Sequence, residues 1–430
     1  MPGYNIFSTG WLIFGVMTAT FILLSFIRRQ PIGVSLMIGA ILGGLVSGSG
    51  IPVRHLVEGA FTYFDPMMII FTAMFFMRVI QENGALQALA DLIIRAFAPR
   101  PALLAMVVTI FIMFPAMLTG ITTTSVLTTG ALMAPILMTL GMPRVTTGAM
   151  VALISIMGMM APPINLLAML IGQGVDMPYI GFEGPLAFIA FPLAFFVAFT
   201  LGYPYLKRAD LQTLPPQKTK GKHAVPWTLF IPLLVVFILM TAVRTLPGVV
   251  PDIGIPLIFV IGGITGLFFG EKVYPAKAAY RALLTGLPVL GLLAGIGMFL
   301  QVMTLTGVRG LLVVTVLSLP IALTYLGLLI SLPVFGGVSA FASAMVFGIP
   351  FLLALLGRNE IVLCSGIALL AGLGDVMLPS AIEARFASQV AGVDNYLLVV
   401  RRCLPFVALF ALVALVVIHF ADGLSFLVPG

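Results

Sequence analysis

The chain has 430 residues, 61% hydrophobic and only 8% charged, with a formal net charge of +7. A soluble domain carries roughly 25% charged residues, so this balance excludes an ordinary globular protein. Its cations stand at the ends of apolar runs, which excludes a nucleic-acid footprint and makes them topology markers instead.

Apolar runs near the ~20 residues that cross a bilayer recur throughout, among them 11–27, 227–243, 254–269, 283–300 and 405–420. The first reads as a retained span, because no basic residue precedes it and Arg28-Arg29 follow it. With the N-terminus placed in the periplasm, Arg28-Arg29 fall inside, and spans two and three cover about 32–50 and 66–80. In residues 81–97, Leu86, Leu89, Leu92, Ile93 and Phe97 keep helical spacing with Asp91 and Arg95 between them. That pattern predicts an amphipathic helix in the interface, decorated by Glu82 and Asp91. Two apolar arms follow, 102–118 and 122–140, around a turn at Thr119-Gly120. Arg100 and Arg144 place both ends inside, so a re-entrant hairpin is expected; two full spans would keep the same parity. The next span, 145–172, is interrupted by Pro162-Pro163, and a last one, about 185–206, returns inside. Segment 207–226, with Lys207, Arg208, Lys218, Lys220 and Lys222, reads as a cytoplasmic linker between a first half (1–206) and a second (227–430). Cys364 and Cys403 fall in predicted spans, which argues against a disulfide framework, and no nucleotide-binding loop is present.

The halves can be overlaid. Pro115, Gly120, Gly130, Gly141, Gly148 and Pro162 recur as Pro333, Gly337, Gly348, Gly357, Gly366 and Pro379, at offsets of 216 to 218. Six matches in order at a nearly constant offset exceed coincidence even in a Gly-rich chain. An odd number of crossings between the copies makes them inverted, as in many secondary transporters. The expected fold is therefore an all-α polytopic membrane protein, an inverted repeat of two five-span halves. Each half has a re-entrant hairpin (about 102–140 and 312–356) and a Pro-broken helix (about 145–172 and 361–391).

The first tip reads Thr119-Gly-Ile-Thr-Thr-Thr-Ser125. Hydroxyls and free carbonyls there are hard oxygen ligands suited to an alkali cation, and non-helical backbone at membrane depth is tolerated only in protein or beside a wet cavity. Any single Thr more often bonds a neighbouring helix; the cluster points to a site. Ala161-Pro-Pro-Ile-Asn165 breaks the following helix, freeing carbonyls for a cation and half-helix N–H groups for an anion; the plainer reading is a kink. The second half answers with Gly336-Gly-Val-Ser-Ala-Phe-Ala-Ser343 and Gly372-Leu-Gly-Asp-Val-Met-Leu-Pro-Ser380. Asp375 lies in an apolar span, where a charge costs about 2.5–3.5 kcal/mol, and so is a candidate cation ligand or proton carrier. Just beyond the break, Glu383 and Arg385 are expected to pair, or Arg385 to meet a substrate carboxylate or to snorkel. An intramembrane protease would need a nucleophile beside His, or two Asp in spans, so the chain is not expected to be an enzyme.

The stretch Thr119-Gly120 through Ser125, then Gly130, Pro135, Gly141 and Ala161-Pro162-Pro163, resembles the large membrane subunit of tripartite ATP-independent periplasmic (TRAP) transporters. The likeness is good over 119–172 and weaker over 336–392. It implies an elevator-type transporter of the bacterial inner membrane that holds substrate and sodium between two hairpin tips and two broken helices. Carried over by position, Thr119, Gly120, Ser125, Pro162, Gly337, Ser343, Gly374 and Asp375 are the implied sodium ligands. Thr122, Thr123, Asn165, Ser339, Ser380 and Arg385 are the implied substrate contacts. The implied substrate is an organic anion such as a C4-dicarboxylate or a sugar acid, and the implied partners are a small four-span membrane subunit and a periplasmic substrate-binding protein. Na+ is the expected coupling ion, with H+ as the variant, and no other cofactor is expected. Two departures stand out: the second break lacks paired prolines, and Asp375 occupies a region usually neutral in the family. They leave open a stand-alone homodimeric permease in the bilayer, resembling gluconate or citrate permeases.

Overall fold

The computed structural model describes residues 6–208, 227–245, 251 and 253–428. Apart from Lys207, Arg208 and the flanking Trp227, the linker expected at 207–226 lies outside the described residues, as do residues 1–5. All regular structure among the described residues is helical. The first half contains α1 (Ile6–Ile22), which runs on as a π-turn over Leu23–Ile27, then α2 (Ile32–Val46), α3 (Val53–Thr62), α4 (Phe64–Glu82) and α5 (Ala85–Phe97). Next come the hairpin helices α6 (Pro101–Thr119), α7 (Thr122–Ser125) and α8 (Ala131–Thr139), the broken pair α9 (Arg144–Met160) and α10 (Leu166–Gln173), and α11 (Glu183–Val197) with α12 (Tyr203–Leu206).

The second half follows a similar order with one helix fewer before its hairpin. It has α13 (Ile231–Thr245), α14 (Gly254–Gly266), α15 (Pro275–Leu305) and α16 (Val308–Leu317). They are followed by hairpin helices α17 (Ile321–Gly336), α18 (Ala340–Ser343) and α19 (Ile349–Ala354), the broken pair α20 (Glu360–Gly372) and α21 (Ile382–Val390), and α22 (Tyr396–His419). Pro and Gly punctuate both halves. Pro101 and Pro275 open helices at a position that needs no N–H donor, while Pro115 and Pro333 lie inside the continuous first hairpin arms. The second arms begin with π-turns at Val126–Gly130 and Ala344–Gly348.

Six helices are long and apolar enough to cross a membrane among the described residues: Thr9–Ile27, Phe64–Glu82, Pro101–Thr119, Glu183–Leu206, Pro275–Leu305 and Tyr396–His419. Two expectations need correction. The second hairpin begins at Ile321, not near 312, because Pro320 interrupts the apolar run and leaves α16 as a separate helix. The amphipathic helix begins at Ala85, not 81, because Asn83 ends α4 and Gly84, at φ +87°, turns the chain. Glu82 therefore closes α4 and binds Arg281 at 2.7 Å, while Asp91 is buried within α5.

Two packed groups result. The flank is built from α1–α4 with α13–α15, where α15 lies against α2, α3 and α4. Small residues permit that approach: a Cβ on Gly295 would fall 2.2 Å from the Gly33 carbonyl oxygen, and one on Gly297 would fall 2.0 Å from that of Gly59. The central block is built from α6–α12 and α17–α22, with α9 and α20 at its heart; every residue from Thr146 to Met160 and from Val362 to Gly372 is buried. The hairpin tips and helix breaks all belong to this block.

Candidate functional site

Each hairpin is pinned by a hydroxyl where proline has weakened the first arm. Proline takes away one helical donor and crowds the preceding turn. Ser125 Oγ accepts from Ala116 N–H at 2.8 Å and donates to Met113 O at 3.3 Å, and Thr129 donates to Ile112 O at 3.1 Å. In the second hairpin Ser343 Oγ donates to Leu332 O at 2.7 Å. Both serines are completely buried and act first as staples between arms. Thr119 bonds back to Pro115 O at 2.8 Å, and Gly120 ends α6 in the left-handed region at φ +65°.

The breaks are closed differently. Residues 161–165 interrupt the first, where the Pro162–Pro163 peptide is cis. Asn165 bridges the gap: Oδ1 accepts from Ala168 N–H at 3.0 Å, capping α10, and Nδ2 donates to Met160 O at 3.3 Å at the end of α9. Its own N–H donates to the Tyr179 hydroxyl at 2.9 Å, which donates to Pro163 O at 3.3 Å. Both ends of the Asn165 amide are thus committed to the backbone.

The second break follows a 3-10 turn at Leu373–Val376 and contains a cis Leu378–Pro379 peptide. Here the tip lies directly on the break. Ser380 Oγ and Ser380 N–H both donate to Gly337 O, at 2.5 and 3.0 Å. A Cβ on Gly374 would fall 2.2–2.7 Å from the Gly336 backbone, so both positions need glycine. Ser339 caps the short α18 by accepting from Ala342 N–H at 3.3 Å.

The polar centre forms between halves. Thr122, at the first tip, donates to Asp375 Oδ2 at 3.0 Å and contacts Met159 Sδ at 3.1 Å. Thr123 donates to Glu383 Oε1 at 2.5 Å. Glu383 is 3% exposed; its Oε2 and the hydroxyl of the adjacent Thr124 are buried without hydrogen-bond partners. The expected Glu383–Arg385 pair is not formed. Arg385 turns to the other side of α21, donating to Pro379 O at 3.3 Å and the Tyr396 hydroxyl at 3.2 Å, with its guanidinium 4.6 Å from the Tyr396 ring centroid.

The structure therefore brings Thr122, Thr123 and Asp375 together with Glu383. It gathers Gly337, Ser380 and Gly374 in a second group, and leaves Asn165, Ser125, Ser343 and Ser339 as local staples and caps. Sequence reasoning missed Glu383 as a member of the centre. The signal was there: Glu383 shares its helical face with Ala384, Ala387 and Ser388, where a carboxylate is out of place unless the face is polar at that point.

Two cavities of about 510 Å³ lie behind the tips. One is bounded by Phe114, Met117, Pro162 and Pro163 from the block and by Val236 and Phe237 from α13. The other is bounded by Val334, Val338 and Pro379 and by Ile22 and Phe26 at the end of the first helix. Neither lining holds a Lys, Arg or His. In each, the wall opposite the break comes from the first helix of the other half, so block and flank meet across mostly apolar surfaces.

A family model described as "Tripartite ATP-independent periplasmic transporter, DctM component" matches residues 18–423, almost the whole chain. No curated protein matches it.

Proposed function

The chain belongs to the DctM component family of tripartite ATP-independent periplasmic transporters, and we propose from that premise that it takes up an organic carboxylate coupled to sodium by an elevator motion. It is a multi-pass large permease subunit, and its natural partners are a small membrane subunit and a periplasmic binding protein. In this reading the halves are an inverted repeat, the hairpins are re-entrant, and the N-terminus faces the periplasm. The central block is the moving unit and the flank is the scaffold.

The observation that carries the reading is the polar centre itself. Hydroxyls of one hairpin tip meet carboxylates of the opposite half, Glu383 buried and Asp375 half-buried, in an apolar chain where isolated charge is costly. Such groups mark an ion path by default. Sodium sites formed by each tip with a break also fit the chemistry, since breaks leave carbonyl oxygens outside helical ladders. Anion binding would draw on the N-termini of α10 and α21, with Arg385 held against the second break by Tyr396.

The test is uptake in proteoliposomes holding the chain with its small subunit and binding protein, using a panel of labelled dicarboxylates and sugar acids. Accumulation driven by an inward sodium gradient is expected. Equal accumulation in sodium-free medium contradicts sodium coupling, and no accumulation of any carboxylate contradicts the substrate class.

A further inference from the structure

We propose that Gln173 is a latch tying the central block to the flank, and that Arg309 is a positioning residue that braces the turn beside it. The block then shifts along the flank only when the Gln173 bond opens. That such a shift carries substrate rests on the function proposed above; the latch itself does not.

Two prolines prepare the latch. In an α-helix each carbonyl accepts from the N–H four residues on. Thr62 stands four residues before Pro66, and Gly174 stands four before Pro178; proline has no N–H to give. Each carbonyl thus lacks its helical donor where a helix ends, because Thr62 closes α3 and Gly174 follows α10. In both places a long side chain from another element supplies the donor. Gln173 Nε2 donates to Thr62 O at 2.7 Å, across 111 positions of sequence. Arg309, in the first turn of α16, donates to Gly174 O across 135 positions.

The two bonds join different bodies. Thr62 belongs to the flank, whereas Gln173 and Gly174 end the second segment of the first broken helix, which packs on α20 in the block. Helix α16 is the connector, resting on α1 and α15 of the flank and on α19 of the block. Gly174 is also pressed against α19, since a Cβ there would fall 2.2 Å from Ile349 Cδ1. Arg309 therefore holds the turn from the connector, and Gln173, one residue earlier, reaches the flank. The cavity walls where block and flank also meet are mostly apolar, and apolar contact has no preferred direction. A hydrogen bond does: starting at 2.7 Å, it is lost after a displacement of about 1 Å. Thr62 and Gln173 are both half-buried, so water can replace each partner when the bond opens. Opening then costs only the small net worth of one hydrogen bond, which makes the latch reversible.

The test is a spin-label distance measurement on the full chain with its small subunit in lipid nanodiscs, without substrate or gradient. Labels go on Val53→Cys in the flank and Ile180→Cys beyond the latch, both exposed, while Cys364 and Cys403 are buried and stay unlabelled. The wild type should give one main distance. Gln173→Leu, which removes the donor, should raise the ratio of displaced to docked molecules about 2- to 10-fold. Gln173→Asn, whose amide is too short to reach, should act in the same direction. Arg309→Gln should also raise the ratio, and Arg309→Lys, which keeps a charged donor, should restore much of the docked population. Unchanged distances in both Gln173 variants would overturn the proposal, even if both melt lower, because a staple inside one rigid body alters melting alone. A displaced population without carboxylate uptake under any gradient would sink the transport reading alone. Sodium-driven uptake with unaltered distances would sink this inference alone.

Discussion

The two helix breaks occupy the same place in the order of elements, and each is bonded to its hairpin, yet they are closed by different side chains. In the first, one buried amide spans the gap, and Asn165 caps α10 while holding the end of α9. In the second, no such bridge is found among the described residues; the gap is closed from outside, by the tip carbonyl of Gly337 on Ser380 and by the approach of Gly336 to Gly374. The first break therefore has an internal bridge beside its hairpin contact, Ile164 N–H to Met117 O at 3.3 Å, whereas the second is held mainly by its hairpin. The polar chemistry is divided as unevenly. Hydroxyls come from the first tip and carboxylates from the second break, so neither half builds the centre alone.

That difference can be attacked directly by thermal unfolding of the purified chain in one detergent. Asn165→Ala should be the most damaging change, about 2–4 kcal/mol, because it removes a cap and leaves a buried donor and acceptor unpaired. Ser380→Ala should cost less, about 1 kcal/mol, since Ser380 N–H still serves the same carbonyl. The reverse order would break the contrast between the two breaks. Gly374→Ala should cost about 1–3 kcal/mol by driving the second tip off its break, and its effect on uptake should exceed its effect on melting. A variant that melts and transports like the wild type would deny that the close approach matters.

Where the halves are alike, the variants should be alike. Ser125→Ala and Ser343→Ala each remove a buried hydroxyl that staples a proline-containing arm, and each should cost about 1 kcal/mol. A large loss in one and none in the other would show that the hairpins are not equivalent. The smallest effect is expected for Glu82→Gln, whose partner Arg281 is half exposed; under about 1 kcal/mol is at stake there.

Much of the backbone was legible in the sequence because Pro and Gly act locally. Pro115 and Pro333 stand inside matching arms, Gly130 and Gly348 end the matching π-turns, and Gly141 and Gly357 turn the chain at φ +87° and +100°. Apolar length was less informative. It could not separate α16 from the second hairpin, since both are apolar and only Ser318-Leu319-Pro320 divides them. The side-chain partnerships were the least legible. Thr122 meets Asp375 across 253 positions and Thr123 meets Glu383 across 260, contacts that no local pattern encodes. Glu383 was read with Arg385 because they are neighbours in sequence, but residues two apart on a helix point to different sides. Asn165 is an implied substrate contact by position, and the pattern gave no sign that its amide also bonds the backbone on both sides of the break.

The claim that ties these points together is that the two halves share one polar centre. It is tested most directly by a double-mutant cycle on thermal stability with Thr123→Val, Glu383→Gln and the pair together. Physical contact predicts a coupling energy of about 0.5–3 kcal/mol between the two positions. Effects that add within about 0.3–0.5 kcal/mol, as for distant independent sites, would contradict it.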